Sequence, residues 1–214
     1  VIYDGFVDTA AIAHLLQPFI QLDELRLNAI SKYIDVLMKW NARVNLTAIR
    51  APEEIVQRHF GESLFVAQYV LAQRPVHQAI DLGSGAGFPG VPLAILAPEV
   101  QVILIESNQK KATFLKELIR VLGLRNSEVF ADRGENYEES ADLVCLRAVE
   151  KFETALPLAV KLTKAAGRVA LLVGSSQLDT ANRLTSGVEW DVPILVPSGH
   201  SRILLLGTKV VNVD

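Results

Sequence analysis

Ten residues, Asp81-Leu82-Gly83-Ser84-Gly85-Ala86-Gly87-Phe88-Pro89-Gly90, constrain this chain more than any others. They stand where the short β-type run Ala79-Ile80-Asp81-Leu82 ends and a helix begins. Glycines at such a junction let the backbone turn sharply and let a ligand approach the main chain without Cβ interference. The spacing therefore predicts a small-molecule site rather than a bare turn.

Two cofactors compete for the loop. Gly85-x-Gly87-x-x-Gly90 satisfies the dinucleotide fingerprint, and Glu106 stands about 20 residues on, where a ribose-binding acid belongs. Gly83-x-Gly85-x-Gly87, directly after Asp81-Leu82, equally gives the loop that cradles S-adenosylmethionine (SAM). Charge separates them: Asp81 would face the pyrophosphate of NAD, whereas SAM has no phosphate and carries cationic ammonium and sulfonium groups. The acid favours SAM, with Glu106 expected to accept both ribose hydroxyls. Asp132-Arg133-Gly134-Glu135, after the run Val129 to Ala131, is the expected contact for adenine, although an exposed polar loop would read the same.

The rhythm on either side of the loop gives the architecture. Residues 1–75 read as a helical cap, with Ile30, Tyr33, Ile34, Leu37 and Met38 at the spacing of one apolar helix face. Asn41, Asn45 and Thr47 interrupt that pattern, and Pro52-Glu53-Glu54 looks like a fresh helix start. Residues 76–214 alternate short β-type runs, near 79–82, 100–105, 129–131, 142–146 and 169–173, with helical segments. The clearest is Phe114, Leu115, Leu118, Ile119 and Leu122, stopped at Gly123. The expectation is an α/β, Rossmann-like fold: a mostly parallel, seven-stranded sheet with helices on both faces. Val188 to Val196 and Arg202 to Val211 should close it as an antiparallel pair turned at Pro197-Ser198-Gly199.

Composition narrows the setting. The longest nearly apolar stretch, Phe88 to Pro98, contains three helix-disrupting residues and falls short of the roughly 20 a membrane helix needs. No secretory signal is expected near Asp4 and Asp8. One cysteine, Cys145, excludes an intrachain disulfide and a multi-cysteine zinc site, and His14, His59, His77 and His200 show no metal-binding spacing. A cytoplasmic, metal-free protein is the expectation.

The acceptor can be approached by elimination. Exocyclic amine methylation commonly goes with an Asn/Asp-Pro-Pro-aromatic run after the fourth strand, where this chain has Leu146-Arg147-Ala148-Val149. Pyrimidine C5 methylation needs a cysteine nucleophile, and the apolar surroundings of Cys145 read as a buried strand. What remains is an acceptor with a free lone pair, such as guanine N7, for which alignment supplies most of the rate. Arg147, at the ligand edge of an open sheet, could bond a carboxylate, a phosphate or a guanine edge.

Several segments together resemble the RsmG (GidB) family of bacterial small-subunit rRNA guanine-N7 methyltransferases. They are Trp40 to Thr47, Arg58-His59 through Ser63-Leu64, Asp81 to Pro92, Glu106 to Leu115, and Arg147-Ala148; the Trp-Asn-x-x-x-Asn-Leu-Thr segment is the most family-specific. The resemblance implies that Gly83, Gly85 and Phe88 line the SAM loop, that Gly134 and Glu135 contact adenosine, and that Arg147 is in the active site. It implies that Asn45, Arg58, His59 and Arg202 lie beside cofactor or RNA. The partner would be 16S rRNA, the small ribosomal subunit or an assembly intermediate, met by a monomer. The chain departs from the family at Val173, where a lysine is common, at Leu146, where serine is common, and at Ser201, where an arginine is common.

Net charge is -3 and carries no signature of nucleic-acid binding. Local basic excesses exist at residues 39–59 and 147–168, the latter from Arg147, Lys151, Lys161, Lys164 and Arg168 against Glu150 and Glu153. Solvated helix faces would read the same way. A small-molecule methyltransferase and a non-catalytic SAM-binding assembly factor remain the competing functions.

Overall fold

The structure is a computed structural model that describes residues 2–3, 6–149, 151–197 and 202–211. A short antiparallel pair, β1 (Ile2–Tyr3) and β2 (Phe6–Val7), leads into helix α1 (Thr9–Leu16), whose first turn is capped by the Asp8 carboxylate. Helix α2 (Glu24–Asn41) starts at a second aspartate cap, Asp23. Its stripe Ile30, Tyr33, Ile34 and Leu37 is fully buried, while Met38 stays 37% exposed at the rim. Helix α3 (Pro52–Ile55) opens on Pro52 as expected, then runs through a π-helical turn, Val56–Gly61, into α4 (Glu62–Gln73).

From there strands and helices alternate. In order they are β3 (Gln78–Leu82), α5 (Gly90–Leu96), β4 (Gln101–Ile105), α6 (Gln109–Leu122), β5 (Ser127–Phe130), β6 (Ala141–Arg147) and α7 (Phe152–Lys161). Next come β7 (Thr163–Val173), α8 (Leu178–Leu184), β8 (Val188–Trp190), β9 (Ile194–Leu195) and β10 (Ile203–Lys209). Gly123 ends α6 at φ 67°, the left-handed stop the sequence predicts. The sheet order is β5-β4-β3-β6-β7-β10-β8. Strands β3 to β7 run parallel, and β10 lies antiparallel to β7, β8 and β9.

The expected strand count of seven becomes eight. Both β8 and β9 pair with β10, the first opposite Gly207 to Lys209 and the second opposite Ile203 and Leu204. They are one edge strand broken near Pro193, which has no N–H to give the ladder. The closing pair is thus antiparallel as expected, whereas Ser198 and Gly199 of its predicted turn lie outside the described residues, with His200 and Ser201. Glu150 of the 147–168 tally also lies outside them.

Helices cover both faces. One face packs Ile80, Ile103, Val144 and Leu171 against Leu156 of α7 and Ala181 of α8. The other packs Ala79, Leu104 and Cys145 into a cluster that also holds Tyr33 of α2, Leu64 of α4 and Phe114 of α6. The helices of the first 75 residues therefore share a core with the sheet, which brings α2 and the π-turn to the carboxyl ends of β3 and β6. Among the described residues no helix is long and apolar enough to cross a membrane.

Candidate active site

The glycine loop joins β3 to α5 over the end of β4. Gly83 and Ser84 both donate their N–H to the carbonyl of Ile105, at 2.9 and 3.0 Å. Glu106, one residue past β4, bridges two backbones: Oε2 accepts from Gly85 N at 2.9 Å and Oε1 from Asn108 N at 2.8 Å. Asp81 turns its carboxylate beneath the loop, where Oδ2 accepts from Gly90 N at 2.9 Å. A Cβ on Gly90 would lie 2.7 Å from that oxygen, so the approach requires glycine. The other oxygen, Oδ1, is buried without a hydrogen-bond partner. Burial pushes the Asp81 carboxyl up to about 7, against the pull of the Gly90 N–H and the Arg147 charge.

Aromatic rings from the helical region hold the loop from below. The Tyr33 hydroxyl donates to the carbonyl of Ala86 at 2.5 Å and occupies the space a Gly87 Cβ would need. With φ at +93°, Gly87 is doubly restricted to glycine. Phe88 stacks on Tyr33 at 5.1 Å and on His59 at 4.8 Å, and Phe60 meets both Phe88 and Tyr33 edge-on. Such ring pairs each contribute about 1 kcal/mol beyond buried area. The loop and the π-turn are consequently one packed unit.

Arg147, the last residue of β6, ties the π-turn to the sheet. Its Nη2 donates to the carbonyl of Arg58 at 2.5 Å and to Glu62 Oε2 at 2.8 Å, with His59 Nδ1 at 3.1 Å. The guanidinium also stands 5.7 Å from the centroid of Phe88. The His59 ring also shares a hydrogen bond with the Arg58 backbone, which favours its charged form. On its other side, His59 Nε2 shares a hydrogen bond with Thr47 Oγ1 at 2.8 Å. Burial, then the charges of Arg147, Arg58 and Arg202, depress His59 to about 3. The imidazole is a locked, neutral spacer. Ala148, next along, has φ 50°, a conformation that costs a non-glycine residue on the order of 1 kcal/mol.

A cleft runs along the carboxyl ends of β3, β4 and β6. Its first chamber, about 320 Å³, lies between Gly83, Glu106 and the turn Asp132 to Glu135 after β5. Its second, about 610 Å³, is walled by Thr47, Arg58, His59, Lys111, Arg147 and Arg202, with Gly83, Gly85 and Phe88 at its floor. Gly83, Glu106, Ser107 and Val149 border both chambers, which form one continuous groove.

Most of the residues singled out from sequence meet here. Gly83, Gly85, Phe88, Glu106, Gly134, Glu135, Arg147, Arg58, His59 and Arg202 all line the groove. Asp81 lies under it rather than in its wall. Asn45 is exposed and borders neither chamber; its neighbour Asn41 is the working asparagine. Buried at the end of α2, Asn41 accepts from Leu46 N and Thr47 N and donates to the Thr47 carbonyl, which fixes the turn carrying Thr47. The basic excess at 147–168 is also reduced. Arg168 is buried and spends its guanidinium on the carbonyls of Val70 and Arg74, and Lys164 pairs with Asp142. Val173 lies buried opposite Ile203 in the sheet. Cys145 is 3% exposed with its thiol pushed up by burial, as its apolar surroundings predict.

Glu62, Thr47, Lys111 and Tyr33 are site residues the sequence reading missed. Glu62 had a signal, since a lone acid inside the apolar run from Phe60 to Val66 needs a buried partner. Among the described residues no cluster of three or more His, Cys, Asp or Glu side chains is arranged to hold a metal.

The groove suits SAM on its own terms. Gly85 has only a backbone oxygen at 3.8 Å in its Cβ direction, leaving the main chain open to a ligand. A carboxylate stands at the end of β4 for a ribose diol. Sheet order, glycine loop and groove together define the SAM-dependent methyltransferases. Solved structures agree on the fold: a ribosomal protein L11 methylase from Lactobacillus delbrueckii subsp. bulgaricus superimposes with TM-score 0.61 at 13% identity, covering 72% of this chain and 80% of that one. A SAM-dependent O-methyltransferase from Thermotoga maritima gives 0.58 at 18% identity, covering 83% and 72%.

Sequence comparison is more specific. The family model "GidB: rRNA small subunit methyltransferase G" matches residues 26–199, and the chain belongs to that family. It is 39% identical over 204 residues to the ribosomal RNA small subunit methyltransferase G of Roseiflexus sp. (strain RS-1), covering 89% of this chain and 86% of the relative. It is 34% identical over 187 residues to the same-named protein of Chromobacterium violaceum, covering 86% and 88%. The chain is a SAM-dependent methyltransferase.

Proposed function

We propose that the chain transfers a methyl group from SAM to N7 of a guanosine in 16S rRNA. One observation carries the choice of acceptor: the groups of the second chamber that could take a proton are already engaged. Both ring nitrogens of His59 are hydrogen-bonded, Nδ1 with Arg147 and Nε2 with Thr47, while both oxygens of Glu106 hold backbone N–H groups. An acceptor whose lone pair is free suits such a site. Guanine N7 forms the new N–C bond as the methyl–sulfur bond breaks, the electron pair stays on sulfur, and no proton leaves. Catalysis then rests on alignment.

SAM supplies an electrophilic methyl group. In this reading Gly83, Gly85, Phe88 and Glu106 hold it, Gly134 and Glu135 meet its adenosine, and Asp81 fixes the loop. Arg147 positions the wall between cofactor and base. Arg58, His59 and Arg202 frame the RNA side, and Asn45 reaches RNA from the exposed turn. The reading extends to a monomeric, cytoplasmic, metal-independent enzyme, with residues 1–75 as a cap on the methyltransferase domain 76–214.

The test uses small subunits from a strain lacking the gene. Tritiated methyl from SAM should enter 16S rRNA, and nuclease digestion should return the label as 7-methylguanosine. Label in a different nucleoside, or none in rRNA, overturns the assignment.

A further inference from the structure

A buried ion pair stands behind the wall of the groove, and stability does not account for it. Glu62, the first residue of α4, is 1% exposed, and its Oε2 meets Arg147 Nη2 at 2.8 Å. Exchanging such a pair for apolar side chains of similar volume is often neutral or stabilising. Its placement is more informative. Nη2 is occupied by the Arg58 carbonyl, the His59 ring and Glu62, all on the π-turn or at the start of α4. Nε and Nη1 have no hydrogen-bond partner among the described residues, yet neither atom is sealed in the interior. Arg147 lines the second chamber, so this edge of its fork opens on the groove. Arg58, Lys111 and Arg202 border the same chamber. The Arg202 charge repels the guanidinium, while Glu62 attracts it more strongly than Asp81 does.

We infer that Glu62 is a positioning residue: it holds the Arg147 guanidinium on the π-turn, so that this arginine faces the target base and is withheld from RNA phosphates. This rests on the guanosine reading above. A free arginine beside RNA grips phosphate, because its fork matches two phosphate oxygens at once. Arg58 is paired with Glu54 at the surface, where water screens the attraction. The Arg147 pair is buried, and leaving it would strand the Glu62 carboxylate in the interior. The guanidinium therefore stays in place when phosphates approach, and its open edge keeps one orientation beside Phe88. Because alignment carries the transfer, a displaced guanidinium should lower kcat more than it raises KM.

The experiment assays wild type, Glu62→Gln, Glu62→Asp and the double variant Arg147→Met with Glu62→Leu on small subunits from a strain lacking the gene. Glu62→Gln should lose about tenfold or more in kcat at saturating SAM and RNA, with SAM affinity by calorimetry within about threefold of wild type. In filter-binding titrations its slope of log affinity against log salt should steepen by about one, because Arg147 is freed to meet a phosphate. Glu62→Asp keeps the charge and should recover most of the transfer together with the wild-type slope. The double variant should resist urea nearly as wild type does and return to the wild-type slope, yet still fail to transfer. Trimethylamine oxide in the assay keeps Glu62→Gln folded if its stability falls too far. Transfer at the wild-type rate by the double variant makes the pair a strut and overturns the inference. So does an unchanged kcat or salt slope in Glu62→Gln, a SAM defect that accounts for its loss, or a steeper slope that persists without Arg147. Each of these leaves the guanosine reading standing. Absence of methyl transfer to guanosine by wild type is the separate failure of that reading.

Discussion

Arg147 and Glu62 form an ion pair at 2.8 Å whose side chains are 7% and 2% exposed. Such a pair gains little over an apolar one, but removing a single partner strands a charge in a low-dielectric interior. Glu62→Gln should cost about 3 kcal/mol in urea unfolding, and Arg147→Met paired with Glu62→Leu should recover most of that loss. Two neighbouring groups should drive stability in opposite directions with pH. Asp81 is held near 7 when folded against roughly 3.9 unfolded, so its contribution is full below the unfolded value and disappears as pH rises through 7. His59 is held near 3, so burying it neutral favours folding above about 6.5 and loses that advantage as pH falls toward 3. Measured by urea unfolding between about pH 4 and 7.5, the stability of wild type relative to Asp81→Asn should fall with rising pH. Relative to His59→Gln it should rise.

At the level of elements, the turn after α2 shows how a polar side chain outside the groove controls one inside it. Asn41→Ala removes three hydrogen bonds to residues 46 and 47, with an expected cost of about 2 kcal/mol. Steady-state kinetics should also show KM for RNA rising more than KM for SAM, because Thr47 drifts while the glycine loop keeps its own supports. The same segment marks what sequence could convey. The break in helical spacing at Asn41, Asn45 and Thr47 was legible, as were the strand-to-helix junction at Gly83 to Gly90 and the left-handed stop at Gly123. Those are local consequences of backbone conformation. The π-turn at Val56–Gly61 was not, because its apolar residues still suit an α-helix and its extra residue per turn is held by Arg147, 85 positions from Glu62. Nor could spacing tell Asn41 from Asn45, since which one caps the turn depends on tertiary burial.

For the whole molecule, charge has to be counted by access. Arg58, Lys111 and Arg202 border the second chamber, whereas Arg168 is walled into the sheet. Affinity for rRNA should therefore fall steeply with salt while SAM affinity stays nearly flat. Arg202→Ala should reduce the slope of log affinity against log salt by about one, and Arg74→Ala, far from the groove, should leave it unchanged in filter-binding titrations.

The hydroxyl of Tyr33 fills the notch that Gly87 leaves, and Phe88 is sandwiched between a ring of α2 and a ring of the π-turn. The cofactor-binding half of this protein is thus not a detachable cassette. Transplanted without its first 75 residues, it would carry the signature decapeptide intact in letters yet unable to keep its shape.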